Sequence, residues 1–294
     1  MSYRPEQISS LIGTNYANKS TEEIKDLFAH VLQGGMHGLC FSAYTEGQQP
    51  GDLLTEDQIR ARMAIISPYT KWIRSFSCIE GNELIPKIAK EFGIKTLVGA
   101  WLGKEQDQNK LEIEGLIKLA KEGYVDIAAV GNEVLYRNDL TEEELLAHIY
   151  EVKNAIPDIP VGYVDAYYEF AIKPKITEAC DVILANCYPY WEACHNDYSL
   201  LYMKQMFQQA VQAGNGKKVI ISETGWPSEG TGLRGAHPSD VNSMKYFINA
   251  QTWSKEEDIE IFYFTSFDES WKVGDEGDVG AYWGIWDKDG NLKF

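Results

Sequence analysis

Cysteine is scarce in this sequence, and its few occurrences follow no recognised pairing pattern. The five cysteines are scattered, their number is odd and no C-x-x-C pair is present, which argues against a disulfide framework. Cys180, Cys187 and Cys194 are spaced seven apart, and His195 follows the last of them. The H-E-x-x-H pattern is missing, however, and Cys187 lies in an apolar run, where a buried thiol is usual. These features favour buried thiols over a metal site.

Basic residues and long apolar runs are also in short supply. The 294 residues include 27 Lys and Arg against 44 Asp and Glu, which gives a net charge of −17. Such a surface repels nucleic acid and anionic membranes, so proteins that bind by neutralising phosphates are excluded. No apolar run reaches the ~18 residues that a membrane helix needs, and we expect no membrane insertion. The first residues contain no apolar segment of the signal-peptide type, which leaves a cytoplasmic form or a signal-trimmed periplasmic or secreted form open.

Short apolar runs of β type alternate with helical segments along the chain. Continuous apolar runs indicate strands that are buried on both faces, as in parallel sheets. We predict an α/β fold, a (β/α)8 TIM barrel over residues 37–290 in a single domain of residues 1–294. The alternative is an open doubly wound sheet, against which the lack of a Gly-rich phosphate loop counts. The runs are His37–Tyr44, Trp72–Ser77, Thr96–Leu102, Asp126–Val134, Val161–Asp165, Asp181–Tyr190, Lys218–Pro227 and Ile259–Phe267.

Helix start signals lie between the runs. Thr55 and Thr141 each precede a segment with acidic residues in its first turn, as N-caps do. The extension of residues 1–35 contains a further amphipathic segment from Ser20, which predicts an additional N-terminal helix over residues 20–33. We expect that helix to cover the barrel floor. The final helix, after Ser270, is expected to be short or irregular.

Two carboxylates follow strongly apolar runs at predicted strand ends. Glu133 closes Ala-Ala-Val-Gly-Asn-Glu after the fourth run, and Glu223 closes Val-Ile-Ile-Ser-Glu after the seventh. The active site of a (β/α)8 barrel lies at the C-terminal ends of its strands, so both carboxylates belong to one face. A carboxylate after five apolar residues is costly unless it faces a polar cavity. Glycosidases use such a pair, one protonated as acid and the other ionised as base or nucleophile.

Aromatic side chains close or follow nearly every predicted strand. Their apolar faces suit sugar rings, and an acidic protein is compatible with a neutral polysaccharide. The strand-end residues that we expect to bind substrate are Tyr44, Arg74, Trp101, Tyr188, Trp191, Trp226 and Phe267.

Structural roles are the alternative for several of these residues. In the structural interpretation, Glu133 is a salt-bridge partner of Arg137, and Glu223 is part of a structural network with Arg74 or Lys272. The tryptophans at the strand ends, among them Trp101 and Trp226, are equally suited to packing in the core.

Two longer motifs carry a family resemblance. Val130-Gly-Asn-Glu-Val134 and Ile221-Ser-Glu-Thr-Gly-Trp-Pro-Ser228 resemble the two catalytic motifs of glycoside hydrolase family 17. That family comprises β-1,3-glucanases, β-1,3-1,4-glucanases and related glucanosyltransferases with retaining (β/α)8 barrels. The resemblance covers about residues 37–290. Its short segments between strands look like those of compact bacterial members.

The resemblance implies a role for each matching residue. Glu133 would be the general acid/base and Glu223 the nucleophile, while Asn132 would bind the sugar 2-OH. Glu269 and Lys272 look like the auxiliary acid and lysine of the family. Tyr188 matches a tyrosine position near the nucleophile. Tyr44 corresponds to the sugar contact after the first strand. No metal or organic cofactor is required.

The physical expectation for the two glutamates stands beside the resemblance. Arg74 and Lys272 are expected to favour ionised Glu223, and an apolar setting is expected to keep Glu133 protonated. Retention of configuration predicts the two carboxyl groups about 5–5.5 Å apart.

The predicted function is hydrolysis of β-1,3-glucosidic bonds in laminarin-type β-glucan by a monomer. The alternatives are a β-1,3-glucanosyltransferase that uses the same glutamates and a non-catalytic β-glucan-binding barrel. A metal-dependent barrel hydrolase is disfavoured because no histidine cluster is present. Endo and exo action both stay open at this point.

Overall fold

A closed barrel of parallel strands forms the centre of the molecule. The computed structural model describes residues 13–274 and 276–294, and within them eight strands pair in chain order, with the last returning to the first. Each predicted apolar run overlaps one strand, so the predicted (β/α)8 barrel is confirmed. The strands are β1 (Met36–Cys40), β2 (Thr70–Ser75), β3 (Lys95–Ala100), β4 (Ile127–Asn132), β5 (Val161–Ala166), β6 (Val182–Asn186), β7 (Lys218–Thr224) and β8 (Ile261–Tyr263).

Helices surround the barrel and account for the burial of the outer strand faces. Every residue of β6 is buried, because one face fills the barrel and the other packs beneath the helices. The predicted N-caps Thr55 and Thr141 are confirmed, each accepting a backbone hydrogen bond from the first turn. The helices are α1 (Thr21–Gln33), α2 (Glu56–Ile66), α3 (Ile85–Glu91), α4 (Gln106–Lys121), α5 (Glu142–Ala155), α6 (Glu169–Ile172), α7 (Pro174–Ala179), α8 (Ser199–Gly214) and α9 (Asp240–Glu257).

The additional N-terminal helix exists, but its expected place on the barrel floor is wrong. Helix α1 begins at the capping box of Ser20, and only Gly34 and Gly35 separate its end from β1. It therefore runs down the outside of the barrel, where Phe28 packs against Phe247 of α9 with ring centroids 4.9 Å apart. Among the described residues, β8 is followed only by 3-10 segments, as predicted for the end of the chain. Helix α1 thus fills the eighth place in the outer ring.

The first twelve residues of the predicted extension, including the segment considered for a signal peptide, lie outside the described residues. None of the described helices is both long enough and apolar enough to cross a membrane.

Candidate active site

The C-terminal ends of the strands open into a cleft of about 1300 Å³. Strand ends supply its polar floor, and aromatic rings on the following loops form its walls. Nine of the predicted site residues line it: Tyr44, Trp101, Asn132, Glu133, Tyr188, Trp191, Glu223, Glu269 and Lys272.

The backbone at the end of β4 is bent so that Glu133 reaches the cleft. Gly131 and Glu133 both adopt left-handed backbone angles, with φ of 84° and 53°. The pairing of β4 with β5 shifts register between Ala129 and Asn132, and the Glu133 N–H donates to the carbonyl of Val164 at 2.8 Å. A left-handed conformation is unfavourable for glutamate, so neighbouring structure must hold it in place.

The carboxyl group of Glu133 lies in surroundings that favour its protonated form. Burial raises the pKa of Glu133, and the charge of Glu223 raises it further. Asn186 of β6 acts in the opposite direction, because its amide donates to Glu133 Oε1 at 2.7 Å. The Asn186 side chain is itself fixed by Ser222, whose hydroxyl donates to it at 2.8 Å. A carboxyl group with a raised pKa is suited to act as a general acid.

Glu223 ends β7 and receives hydrogen bonds on both carboxyl oxygens. The buried guanidinium of Arg74 donates to Oε1, and the Tyr188 hydroxyl donates to Oε2 at 2.7 Å. The residue is only 6% exposed, so water screens these contacts little. Two donors aimed at one carboxyl group fix its orientation in the cleft, as a nucleophile requires.

Arg74 of β2 connects the nucleophile candidate on β7 to Asn132 at the end of β4. It is only 1% exposed and does not line the cleft, which corrects its prediction as a substrate-binding residue. Its second guanidinium nitrogen donates to Asn132 Oδ1 at 2.6 Å. Because a guanidinium donates in a fixed fork, one side chain sets the relative position of Glu223 and Asn132. The predicted network of Glu223 with Arg74 is thus present within the site.

A second charged group lies beside Glu223 after β8. Lys272 Nζ pairs with Glu269 Oε2 at 2.6 Å, and the Trp271 indole donates to Glu269 Oε1 at 3.1 Å. The ammonium lies over the Phe264 ring, 4.2 Å from its centroid. Lys272, Glu269 and Glu223 all line the cleft, so this charged cluster shares the cavity with the nucleophile candidate.

Two tryptophans at the rim offer accessible faces to a ligand. Trp101 is 42% exposed and Trp191 is 41% exposed, and both line the cleft. The guanidinium of Arg137 lies 4.7 Å from the Trp101 ring centroid. Arg137 pairs with Asp139, its Nε donating at 2.7 Å, and it forms no ion pair with Glu133. The structural alternative for Glu133 therefore does not describe its contacts.

Trp226 and Phe267 do not reach the cleft, which corrects the prediction that they bind substrate. Trp226 is fully buried, and its indole donates to the carbonyl of His237 at 3.1 Å. Phe267 is 1% exposed and lies beneath the guanidinium of Arg62, 4.2 Å from its ring centroid. Side chains near strand ends alternate between the cleft and the layer behind it, and these two rings face the layer behind.

Sequence reasoning missed Asn186 and Glu112. Asn186 ends an apolar run that indicated only a strand. Glu112 lines the cleft from α4, where it accepts hydrogen bonds from the Ser77 hydroxyl at 2.5 Å and the Cys78 N–H at 2.7 Å. Burial raises its pKa to about 7. It shares the buried stripe of α4 with Asn109, and polar residues in an apolar stripe are the signal that could have identified it.

In residues 13–274 and 276–294, no three His, Cys, Asp or Glu side chains are grouped as a metal site requires.

Comparisons with known proteins find similar sequences along most of this chain. The model of the BtgE/BtgC glycoside hydrolase domain matches residues 38–284. The glucan 1,3-beta-glucosidase of Arthroderma benhamiae is 31% identical over 258 residues, which are 81% of this chain and 81% of the relative. The glucan 1,3-beta-glucosidase of Schizosaccharomyces pombe is 28% identical over 260 residues, which are 81% of this chain and 80% of the relative.

A solved structure extends the similarity to three dimensions. The glycoside hydrolase family 17 beta-1,3-glucanosyltransferase of Rhizomucor miehei is 28% identical, with a TM-score of 0.80 over 89% of this chain and 96% of its own. An active-site mutant of that transferase was solved in complex with laminaritriose. The family match spans most of the chain and includes both glutamates of the cleft. The chain therefore belongs to the BtgE/BtgC glycoside hydrolase family, within glycoside hydrolase family 17.

Proposed function

We propose that this protein is a retaining glycoside hydrolase that cleaves the β-1,3-glucosidic bonds of laminarin-type β-glucan by double displacement. The observation that carries the proposal is the contrast between two carboxyl groups in one cleft. Burial and a neighbouring negative charge raise the pKa of Glu133, whereas Arg74 and Tyr188 donate to both oxygens of Glu223. One group is prepared to give a proton and the other to attack carbon.

In the first step, Glu223 Oε attacks the anomeric carbon and the glycosidic C–O bond breaks. Glu133 transfers its proton to the departing oxygen, so the leaving sugar departs as a neutral alcohol. Asn132 is fixed by Arg74 at 2.6 Å beside the nucleophile, in a suitable place to bind the sugar 2-OH.

In the second step, Glu133 is ionised and acts as the base. It takes a proton from a water molecule, whose oxygen attacks the anomeric carbon and displaces Glu223. Two displacements restore the original configuration. The raised pKa of Glu133 makes it an effective acid in the first step and an effective base in the second.

The substrate class follows from the walls of the cleft and from the relatives. Exposed rings such as Trp101 and Trp191 provide stacking faces for sugars, and the net charge of −17 disfavours polyanionic glycans. The two curated relatives are glucan 1,3-beta-glucosidases, and the Rhizomucor transferase binds laminaritriose in its active-site mutant. These observations support a neutral β-1,3-glucan.

A second candidate function is β-1,3-glucanosyl transfer. The similarity to the Rhizomucor beta-1,3-glucanosyltransferase favours it. In that reaction the acceptor hydroxyl of a second glucan replaces water, and the same two glutamates act.

The experiment is product analysis over time on laminarin and laminarioligosaccharides. Hydrolysis predicts products that only shorten, and transfer predicts products longer than the input. The Glu223→Gln variant should lose activity by several orders of magnitude, about 10⁴-fold or more. The matched control is Glu178→Gln, at an exposed glutamate of α7, which should retain full activity. Unchanged turnover by Glu223→Gln would overturn the mechanism.

We further propose that the chain acts as one catalytic domain and as a monomer. The barrel closes with strands in chain order, which supports a single unit. The comparison to compact bacterial members stays a prediction, and the two curated relatives described above are fungal.

A further inference from the structure

Strand β5 places a buried acid–phenol pair behind the turn that carries Glu133. Tyr163 is 1% exposed and Asp165 is fully buried, and neither side chain lines the cleft. The Tyr163 hydroxyl donates to Asp165 Oδ2, while Asp165 Oδ1 accepts the N–H of Ala166 at 2.8 Å. The pair therefore cannot contact substrate directly.

The Tyr163 oxygen also holds the turn. It accepts the backbone N–H of Leu135 at 3.0 Å, and the adjoining β5 carbonyl of Val164 accepts the N–H of Glu133 at 2.8 Å. The Tyr163 ring packs beneath Gly131, whose added Cβ would lie 3.5 Å from that ring. Residues of β5 thus bind two backbone N–H groups of the turn, that of Glu133 itself and that of Leu135 two residues further on.

A buried carboxyl group is expensive to maintain. Burial raises the pKa of Asp165 to about 7, and an apolar side chain would fill the same space without this cost. What offsets this cost is the support that the pair gives to Glu133, whose left-handed backbone conformation must be held by neighbouring residues.

We propose that Asp165 and Tyr163 are positioning residues for Glu133: Asp165 orients the Tyr163 phenol, and the phenol oxygen anchors the turn at Leu135 so that the acid points into the cleft. This inference rests on the proposed function, in which Glu133 is the acid/base.

The surroundings of the pair determine the direction in which its loss shifts the pKa of Glu133. Asp165 is faced by Glu133 from the β4 turn and by Glu169 from α6. Glu133 is faced in turn by Glu223, Arg137 and Arg74, with burial as the largest cause of its raised pKa. Either substitution loosens the turn and admits water to Glu133. This weakens burial, the largest cause that raises the pKa of Glu133, so that pKa falls.

The test compares Tyr163→Phe and Asp165→Asn with the matched control Asp268→Asn. Asp268 is a partly buried carboxylate, more exposed than Asp165, that follows β8 rather than β5, and its Oδ1 accepts from Lys293 and from Gly284, both at 2.9 Å. For the two β5 variants kcat should fall about tenfold or more, with KM within about twofold, because the acid is displaced and the sugar contacts remain. The alkaline limb of the kcat profile should move toward acid.

The control should lower the denaturation midpoint and leave the alkaline limb where it is. If the β5 variants lose stability like the control and their alkaline limb does not move, the pair is structural only and the inference is overturned.

A second readout needs no turnover and separates this inference from the proposed function. Amide hydrogen exchange at Leu135 should accelerate at least about tenfold in Tyr163→Phe, and the ¹³C carboxyl titration of Glu133 should shift to lower pH in both variants. These changes in a protein that hydrolyses no β-glucan would uphold the positioning role while the proposed function fails. Unchanged Leu135 exchange and an unchanged Glu133 titration would refute the positioning role even in an active glucanase.

Discussion

At the scale of single residues, two glutamates acquire opposite tasks from their neighbours. Glu133 receives one amide hydrogen bond in a largely buried place, whereas Glu223 receives donors from a guanidinium and a phenol. The side chains are chemically identical, so the division of labour lies in burial, charge and hydrogen bonding. Changing a neighbour should therefore change the chemistry in a direction that can be stated beforehand.

The Asn186→Ala variant should move the alkaline limb of kcat/KM upward. Asn186 donates to Glu133 and lowers its pKa, so removing the donor raises that pKa. A hydrogen bond to a charged group contributes roughly 1.5–3 kcal/mol, which corresponds to about one pH unit or more. A pH–rate profile measures the shift. If the alkaline limb moved to lower pH instead, the assignment of Glu133 as the general acid would be contradicted.

The Arg74→Met variant should be strongly destabilised. It leaves the buried carboxyl group of Glu223 without its partner, a loss of roughly 3–5 kcal/mol in the free energy of unfolding. The double variant Arg74→Met/Glu223→Leu should recover most of that loss, although it stays inactive, because it removes both charges of this ion pair and leaves neither one unpaired. Urea denaturation distinguishes the two. Equal destabilisation of the single and double variants would show that packing, and not charge, determines the effect.

Sequence reasoning identified cleft-lining residues where a polar side chain directly ends an apolar run. Glu133 and Glu223 were found for this reason. Trp226 and Phe267 were assigned to the cleft wrongly, because adjacent positions near a strand end face opposite layers and sequence alone does not say which. Asn186 escaped notice because its partner Glu133 is 53 residues away along the chain.

At the scale of elements, the periodic pattern predicted strands and helices well and their placement less well. The strands follow from continuous apolar runs, and Ser20, Thr55 and Thr141 mark helix starts through their caps. Helix α1 was expected on the barrel floor because it precedes the first strand. Its position in the outer ring depends on a contact with α9, more than 200 residues later, which no local pattern contains.

Phe28→Ala should test whether α1 is an integral part of the barrel. Phe28 is fully buried between the rings of Phe247 and Phe294. Truncating such a ring costs roughly 3–5 kcal/mol in the free energy of unfolding. Asp26→Ala, at an exposed position of the same helix, is the control and should change it by about 0.5 kcal/mol or less. If both variants unfold like the wild type, α1 is an accessory to the barrel.

At the scale of the whole molecule, buried acids and a large negative charge make stability depend on pH. Burial is the first cause that raises the pKa of Glu112, Asp165 and Glu276 to about 7 and that of Asp268 to about 6. Their ordinary values are 4.5 for glutamate and 3.8 for aspartate. Between about pH 4 and 7 the folded protein therefore holds protons that the unfolded chain releases.

The consequence is that stability should fall as pH rises through this window. Repulsion within a chain of net charge −17 acts in the same direction. Burial lowers the pKa of His37, which opposes the trend below the ordinary histidine value of 6.5. This effect of one histidine is smaller than the combined effect of the four carboxyl groups. The urea midpoint should be higher at pH 5 than at pH 8, and added salt should recover part of the loss at pH 8. A midpoint that rises from pH 5 to pH 8 would contradict this account of the buried acids.

The central claim, that Glu133 and Glu223 act by double displacement, is tested most directly by the anomeric configuration of the first product. Proton NMR during hydrolysis of a laminarioligosaccharide, recorded before mutarotation, distinguishes the two anomers. Two displacements predict that the β-anomer appears first and the α-anomer only later. If the α-anomer appears first, water attacks the sugar in a single displacement, and Glu223 is not the nucleophile.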